Sequence, residues 1–256
     1  MDLLQAFILG TIQGFSEWLP ISSSAHLVLF QNFFDLKASA EFDIIIMLGT
    51  TFALILYFRK KLLSLFLDLL AFKKEAIEYL FFLVIAGLFT AFIGFPLKNF
   101  FKSFFYLPQI VCLLLILNGI LIFLASKTKE STNRINKKIA ILVGIAQAFS
   151  LFPGISRSGS TISVALLSGL NRLKAAEFSF LLGIPSMLIA SLVELNSAIW
   201  FSMDLSILLA GISGAFLAGY LSIHFFFKIL KEGNLVYFAY YSILIGSIFF
   251  VYFISL

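Results

Sequence analysis

Residues 13–26, QGFSEWLPISSSAH, align without a gap on residues 147–160, QAFSLFPGISRSGS, at an offset of 134. Six positions are then identical: Gln13/Gln147, Phe15/Phe149, Ser16/Ser150, Ile21/Ile155, Ser22/Ser156 and Ser24/Ser158. Each stretch is a polar interruption of an apolar run. The chain must therefore fold so that two equivalent polar bends, one per half, are both sheltered from hydrocarbon.

Composition explains why hydrocarbon is the relevant solvent. Of 256 residues, 61% are hydrophobic and 12% charged, and mean hydropathy is +1.06. A soluble domain carries about twice that charge, so the class expected is a polytopic membrane protein. The start Met1-Asp2 is not the basic opening of a cleaved signal peptide. The single Cys112 sits in an apolar run as a small hydrophobe and excludes an internal disulfide. The net charge of +5 comes from basic residues clustered in short loops, the mark of membrane topology rather than of nucleic-acid binding.

Around the two bends the apolar pieces are short. Residues 3–19 and 25–34 flank the first, and 138–152 and 159–170 the second. A full crossing takes roughly 20 residues, so both pairs read as re-entrant helical hairpins. Longer spans are expected at 42–58, 79–97 and 108–125, then at 176–195, 205–227 and 235–255. The fold class is thus all-α, one membrane domain over 1–256, with repeat one at 1–126 and repeat two at 135–256. Each half is a hairpin plus three transmembrane helices. Three crossings bring the second half in from the opposite side, which makes an inverted-topology repeat. Ala40-Glu41-Phe42 echoes Ala176-Glu177-Phe178, and Gly49 echoes Gly183.

Fourteen of the 18 Lys and Arg fall in one set of loops, among them Arg59–Lys61, Lys73, Lys74, Lys137 and Lys138. The opposite loops hold Lys37, Lys98 and Lys102 with Glu194 and Asp204. This bias places the basic set in the cytoplasm and both termini outside. The stretch LLSLFLDLLAF either extends a helix or lies along the interface. Gly211, Gly214, Ala215 and Ala218 form small-xxx-small pairs for close helix packing.

The bends carry the candidate chemistry. Gln13 and Glu17 share a helix face. Glu17 is either an assembly carboxylate paired with Arg157, a general base, or a ligand to a divalent cation such as Mg or Ca near phosphate. Ser22, Ser23 and Ser24 open a helix whose N-terminus favours anions, and one of them serves as its cap. In the second bend Gly154 and Gly159 permit tight backbone, Ser156 and Ser158 supply hydroxyls, and Arg157 supplies a fork for phosphate oxygens. Thr161 adds a hydroxyl one turn on. Ser23 falls opposite Arg157 in the alignment, which suggests a nucleophile in one bend and a cationic clamp in the other. His26 is three residues from Ser23 and in reach of its hydroxyl on a helix; the bland alternative is a satisfied core histidine. His224 lacks such neighbours and reads as structural.

These motifs resemble the undecaprenyl-diphosphate phosphatases of the bacitracin-resistance type. That family has an (E/Q)xxxE motif, here Gln13 to Glu17, then a PxSSxxH element, here Pro20, Ser22, Ser23 and His26, and later PGxSRSG, here Pro153 to Gly159. The similarity extends over the whole chain. Two departures stand out: Gln13 replaces a common glutamate, which weakens a two-carboxylate metal site, and Ala25 replaces a common glycine. The resemblance implies an inner-membrane hydrolase that removes the terminal phosphate of undecaprenyl diphosphate and recycles the carrier for wall polymers, with its site open to the periplasm. Expected catalytic residues are Glu17, Ser23, His26 and Arg157. Expected substrate contacts are Gln13, Ser22, Ser24, Gly154, Ser156, Ser158, Gly159 and Thr161. Direct attack by water stays open beside attack by Ser23. The competing class is a transporter or flippase of a polyprenyl phosphate lipid using the same anion site. Expected partners are the polyprenyl diphosphate and membrane lipids, with a homodimer left open and no nucleic acid.

Overall fold

The structure, a computed structural model, describes residues 1–34, 36, 40–129, 134–195 and 204–255. Lys37 and the side chains of Glu41 and Glu194, used above, lie outside the described residues. Every regular element among these residues is helical: α1 (Leu3–Trp18), α2 (Ser23–Phe33), α3 (Ala40–Tyr57), α4 (Arg59–Leu70), α5 (Lys74–Gly94), α6 (Lys98–Ser103), α7 (Pro108–Ser126), α8 (Lys137–Phe149), α9 (Arg157–Leu167), α10 (Arg172–Leu195), α11 (Leu205–Lys231) and α12 (Val236–Ile254).

The helix starts follow local chemistry. Asp2 and Gln5 close a reciprocal capping box at α1, with Gln5 N–H donating to Asp2 Oδ1 at 2.8 Å. Asn136 caps α8 through the Ile139 N–H, and Pro108 opens α7, where its missing N–H costs nothing. Among the described residues five helices are long and apolar enough to cross a membrane: α5, α7, α10, α11 and α12. α3 and α4 together form a sixth candidate span, bent by 69° at their junction. α4 has no buried residue, and Leu63, Phe66, Leu67 and Leu70 stay exposed. The stretch is thus a separate helix set off from α3, with an apolar face left uncovered. The chain is a multi-pass all-α membrane protein. α5 starts five residues earlier than the hydropathy run suggested, because Lys74, Glu75 and Glu78 are tolerated in its polar first turns. The short α6 and the 3₁₀ turn Phe104–Tyr106 had no signal in hydropathy.

The large apolar side chains are split by solvent. Leu88, Phe92, Leu117, Ile189, Leu221 and Val251 face outward, as in a lipid-covered surface. Trp18, Phe178, Phe180 and Phe226 fill the interior, with Trp18 and Phe180 ring centroids 5.1 Å apart.

The halves interlock rather than sit side by side. α1 packs on α11, α8 on α5, α3 on α10 and α7 on α12. The first hairpin can approach so closely because small residues meet small residues. A Cβ on Gly14 would overlap the Ala215 carbonyl and lie 2.9 Å from the Ala218 Cβ, and one on Gly214 would sit 3.1 Å from the Thr11 nitrogen. The small stripe on α11 is therefore the seat of α1, and Ser222 fixes it by donating to the Gly14 carbonyl at 3.1 Å. This seat aims the C-terminal turn of α1, with Gln13 and Glu17, into the interior.

Candidate active site

The two bends touch. Leu19–Ser22 links α1 to α2, and Ser150–Ser156 links α8 to α9. Arg157, the first residue of α9, reaches across to Glu17 near the end of α1, with Nη2 to Oε1 at 2.6 Å. The other carboxylate oxygen, Oε2, accepts from Gln13 Nε2 at 2.7 Å and from the Ser23 hydroxyl at 2.5 Å. One carboxylate thus joins an amide, a hydroxyl and a guanidinium drawn from three helices. Glu17 is only 7% exposed, and burying it becomes affordable because every neighbour it meets is a donor.

Arg157 is held from below. Its guanidinium carbon lies 5.1 Å from the Trp18 ring centroid. Space for it comes from Gly183 on α10, where any Cβ would collide with Nη1. That Nη1 is buried and has no hydrogen-bond partner. An orphaned guanidinium N–H is an unmet donor suited to an anionic oxygen. The first turns of α2 and α9 add backbone N–H groups with no intrahelical acceptor, and their positive dipole ends favour the same charge.

Access separates the hydroxyls of the two bends. Ser23 and Ser24 are partly exposed. Ser22, Ser156, Ser158 and Thr161 are buried. Ser22 caps α2 from the left-handed region, φ +65°, its hydroxyl 3.4 Å from the Ala25 N–H and 3.2 Å from Ser24 Oγ. Ser156 caps α9 through the Gly159 N–H at 3.0 Å. Ser158 donates to the Leu19 carbonyl of the opposite bend at 3.2 Å. Thr161 does not face the bends: it donates to the Arg157 carbonyl at 2.6 Å and meets Ser179 Oγ at 2.6 Å. Gly154, at φ +107°, turns the chain against the Val111 carbonyl of α7 rather than opening toward a ligand. Gly159 lies where a Cβ would sit 2.7 Å from Asn118 Oδ1.

His26 corrects an expectation. It does not bond Ser23. Its Nδ1 lies 2.8 Å from the Ser22 carbonyl, an acceptor only, so Nδ1 carries the proton. Its Nε2 meets the Tyr241 hydroxyl at 2.9 Å, with the two rings stacked at 6°. The imidazole braces the Ser22 turn against α12, and Glu17 takes the place beside Ser23. His224 likewise bonds a backbone carbonyl, that of Tyr220, and stacks edge-on to Tyr57.

Trp18, Asn118, Gly183 and Tyr241 were not among the residues expected at the site. Asn118 alone carried a signal, as an amide in an otherwise apolar span. The Gly183 echo of Gly49 was visible but pointed to no role.

A divalent cation would draw on a sparse donor set. Among the described residues no three His, Cys, Asp or Glu converge. Glu17 is the one carboxylate at the bends, with the Gln13 amide beside it.

The family model described as Bacitracin resistance protein BacA matches residues 6–248 of the chain. Relatives named Undecaprenyl-diphosphatase include those of Carboxydothermus hydrogenoformans, 40% identical over 96% of this chain and 95% of the relative, and Treponema denticola, 38% identical over 99% and 98%. The protein of that name from Syntrophotalea carbinolica is 37% identical over 98% of both chains. With a family match over nearly its whole length and relatives of this similarity, the chain belongs to the BacA bacitracin-resistance family.

Proposed function

We propose that this chain is an integral membrane phosphatase that hydrolyses undecaprenyl diphosphate to undecaprenyl phosphate and inorganic phosphate. The activity returns the lipid carrier to cell-wall synthesis and accounts for a bacitracin-resistance role. The observation that carries it is the continuous chain Ser23 hydroxyl, Glu17 carboxylate, Arg157 guanidinium, with an unpartnered Arg157 Nη1 at its end.

In the reading these contacts support, the terminal phosphate docks on Arg157 and on the free N–H groups opening α2 and α9. Ser23 attacks its phosphorus while Glu17 Oε2 takes the hydroxyl proton. The bond to the bridging oxygen breaks, the monophosphate lipid leaves, and water then cleaves the phosphoserine. Charge spreading over the equatorial oxygens meets fixed donors in a water-poor site, where such donors are worth most. His26 acts at one remove, by holding the Ser22 turn that presents Ser23.

A divalent cation, Mg or Ca, would be held by Glu17 together with the diphosphate itself, since Mg takes one or two carboxylates plus substrate phosphates. It would supply charge neutralisation on the phosphate oxygens. Such a cation would arrive with substrate, and a chelator should slow turnover without unfolding the protein.

The two halves form an inverted repeat about an axis in the membrane plane. Support comes from the offset of 134, which carries Ser23–Phe33 onto Arg157–Leu167, the bounds of α2 onto those of α9. It carries Lys74–Gly94 into α11 as well, so α1 on α11 is the counterpart of α8 on α5. The basic loops join the ends of α3, α7, α9 and α11, which supports a cytoplasmic position for that side and a periplasmic one for the open end of the first hairpin. Ser23 and Ser24 are partly exposed at the inner bend of that hairpin, and the site is read as open to the periplasm, as the family resemblance implies.

The test is phosphate release from undecaprenyl diphosphate by purified protein in detergent, where no sidedness exists and transport cannot register. Arg157→Lys keeps a cation for Glu17 but loses the planar fork, and should lower release by roughly 100-fold or more in a correctly inserted protein. Parent-like turnover by that variant refutes the clamp.

A further inference from the structure

We infer that Asn118 is a positioning residue for phosphate transfer: one side-chain amide locks the two bends in register, and the reaction's alignment depends on it. The inference rests on the reading of the bends as the catalytic site.

Asn118 sits in the middle of α7, in the run LLLILNGILIF, and is 1% exposed. α7 is packed against both α2 and α9, the helices that follow the two bends. The Asn118 Nδ2 donates to the Pro20 carbonyl of the first bend at 3.0 Å. The Oδ1 of the same amide accepts from the Ser156 N–H of the second bend at 3.0 Å. Both backbone groups belong to irregular chain. Pro20 lies between helices, and Ser156 is the N-cap of α9, whose N–H has no partner within that helix. In an interior without water such groups need a fixed partner. A donor and an acceptor on one planar group meet both needs at once, which an apolar or charged side chain does not.

The sequence positions of the two anchors make this more than packing. Pro20 is three residues from Glu17 and three from Ser23, while Ser156 immediately precedes Arg157. The amide therefore ties the proposed nucleophile and base to the proposed clamp through two rigid backbone points. Gly159 belongs to the same device, since a Cβ there would press on Asn118 Oδ1 at 2.7 Å and on the Pro20 carbonyl at 3.3 Å. The remaining direct bend-to-bend bonds are Ser158 to the Leu19 carbonyl and the ion pair itself. The ion pair weakens when Glu17 takes the Ser23 proton. Asn118 makes no hydrogen bond to the Glu17, Ser23 or Arg157 side chains, so its bonds can persist through that step.

The experiment compares parent, Asn118→Asp and Asn118→Leu as purified full-length proteins, with undecaprenyl diphosphate as substrate, across pH. Asn118→Asp keeps shape and the acceptor for Ser156, but as a carboxylate it cannot donate to Pro20. Its kcat should be about 10- to 100-fold below the parent at alkaline pH, with KM changed much less, because misalignment is felt mainly in the transition state. As the pH falls and the new carboxyl group protonates, it regains a donor for the Pro20 carbonyl, and the deficit should shrink. The other titratable groups on the bends, α7 and α12 near this point are Glu17, His26, Cys112, Arg157 and Tyr241; they are common to all variants, and the parent profile removes their contribution. Asn118→Leu should show the deficit at every pH, or fail to fold, in which case Asn118→Asp decides alone. A parent-like kcat for Asn118→Asp at all pH, or a loss that acid does not relieve, overturns the inference. A parent that releases no phosphate removes the underlying reading instead, so the two failures are distinguishable.

Discussion

The two bends share a template and have opposite fates. In the first, Gln13 donates to Glu17, Glu17 takes the Ser23 hydroxyl, and Ser23 and Ser24 remain partly exposed. In the second, the mate of Gln13 is Gln147, which donates to Ser186 at 2.8 Å and to Thr90 at 3.3 Å. The mate of Glu17 is Leu151, an exposed apolar residue with nothing to titrate. The hydroxyls of Ser156, Ser158 and Thr161 are all spent on protein partners. Arg157 leaves the second bend to meet the Glu17 carboxylate of the first. In the proposed mechanism one bend carries the chemistry, and the other a charge plus the bonds that keep it aimed. A duplicated motif can divide labour in this way because each copy needs only to be complementary to its partner.

That division can be broken most sharply at the serines. Ser23→Ala should lower phosphate release by about 10³-fold or more, as loss of a nucleophile does, with the protein folded and inserted. Ser158→Ala, on the sealed bend, removes one bond worth about 1 kcal/mol and should retain measurable turnover. Equal losses in the two variants would erase the distinction drawn between the bends.

A smaller effect is expected at the brace on the first bend, which has no counterpart on the second. Tyr241→Phe leaves His26 Nε2 without its hydroxyl partner while keeping the stacked ring. The loss should be about 0.5–1.5 kcal/mol, read as a kcat reduced by less than about 15-fold. A pH–rate profile abolished by this change would instead place His26 in proton transfer.

The smallest effect on turnover is expected at Thr161, whose hydroxyl meets Ser179 and the Arg157 carbonyl rather than the unmet Arg157 donor. Thr161→Val should lower thermal stability by about 1 kcal/mol with kcat and KM near those of the parent. A large rise in KM would return Thr161 to the substrate contacts.

Much of the fold was legible in one dimension, for reasons particular to this solvent. A helix in lipid must be apolar over its whole length, so α7, α10, α11 and α12 appear as hydropathy runs with ends close to those observed. The α11 stripe of Gly211, Gly214, Ala215 and Ala218 was visible as a packing face, but its partner was not, since small residues announce close approach without saying to what. Glu17, Ser23 and Arg157 stood out because a polar group at membrane depth is costly and needs a reason. Sequence spacing failed at His26. Three residues on a helix place a side chain within reach of Ser23, yet the Ser22 carbonyl and Tyr241, 215 residues away, compete for the same two nitrogens and hold them.

By itself, the sequence determined an all-helical chain in a membrane, with two broken hairpins and the residue types for handling a phosphate anion. Those follow from composition, periodicity and the cost of burying charge, which act locally along the chain. Only the tertiary structure decided which groups meet: Glu17 rather than His26 beside Ser23, Gly183 making room for Arg157, and Asn118 spanning both bends. Those pairings depend on how α7, α10 and α12 pack around the bends. A hydrogen bond is directional and short-ranged, so it is fixed by the three-dimensional approach of helices and not by the order of residues within any one of them.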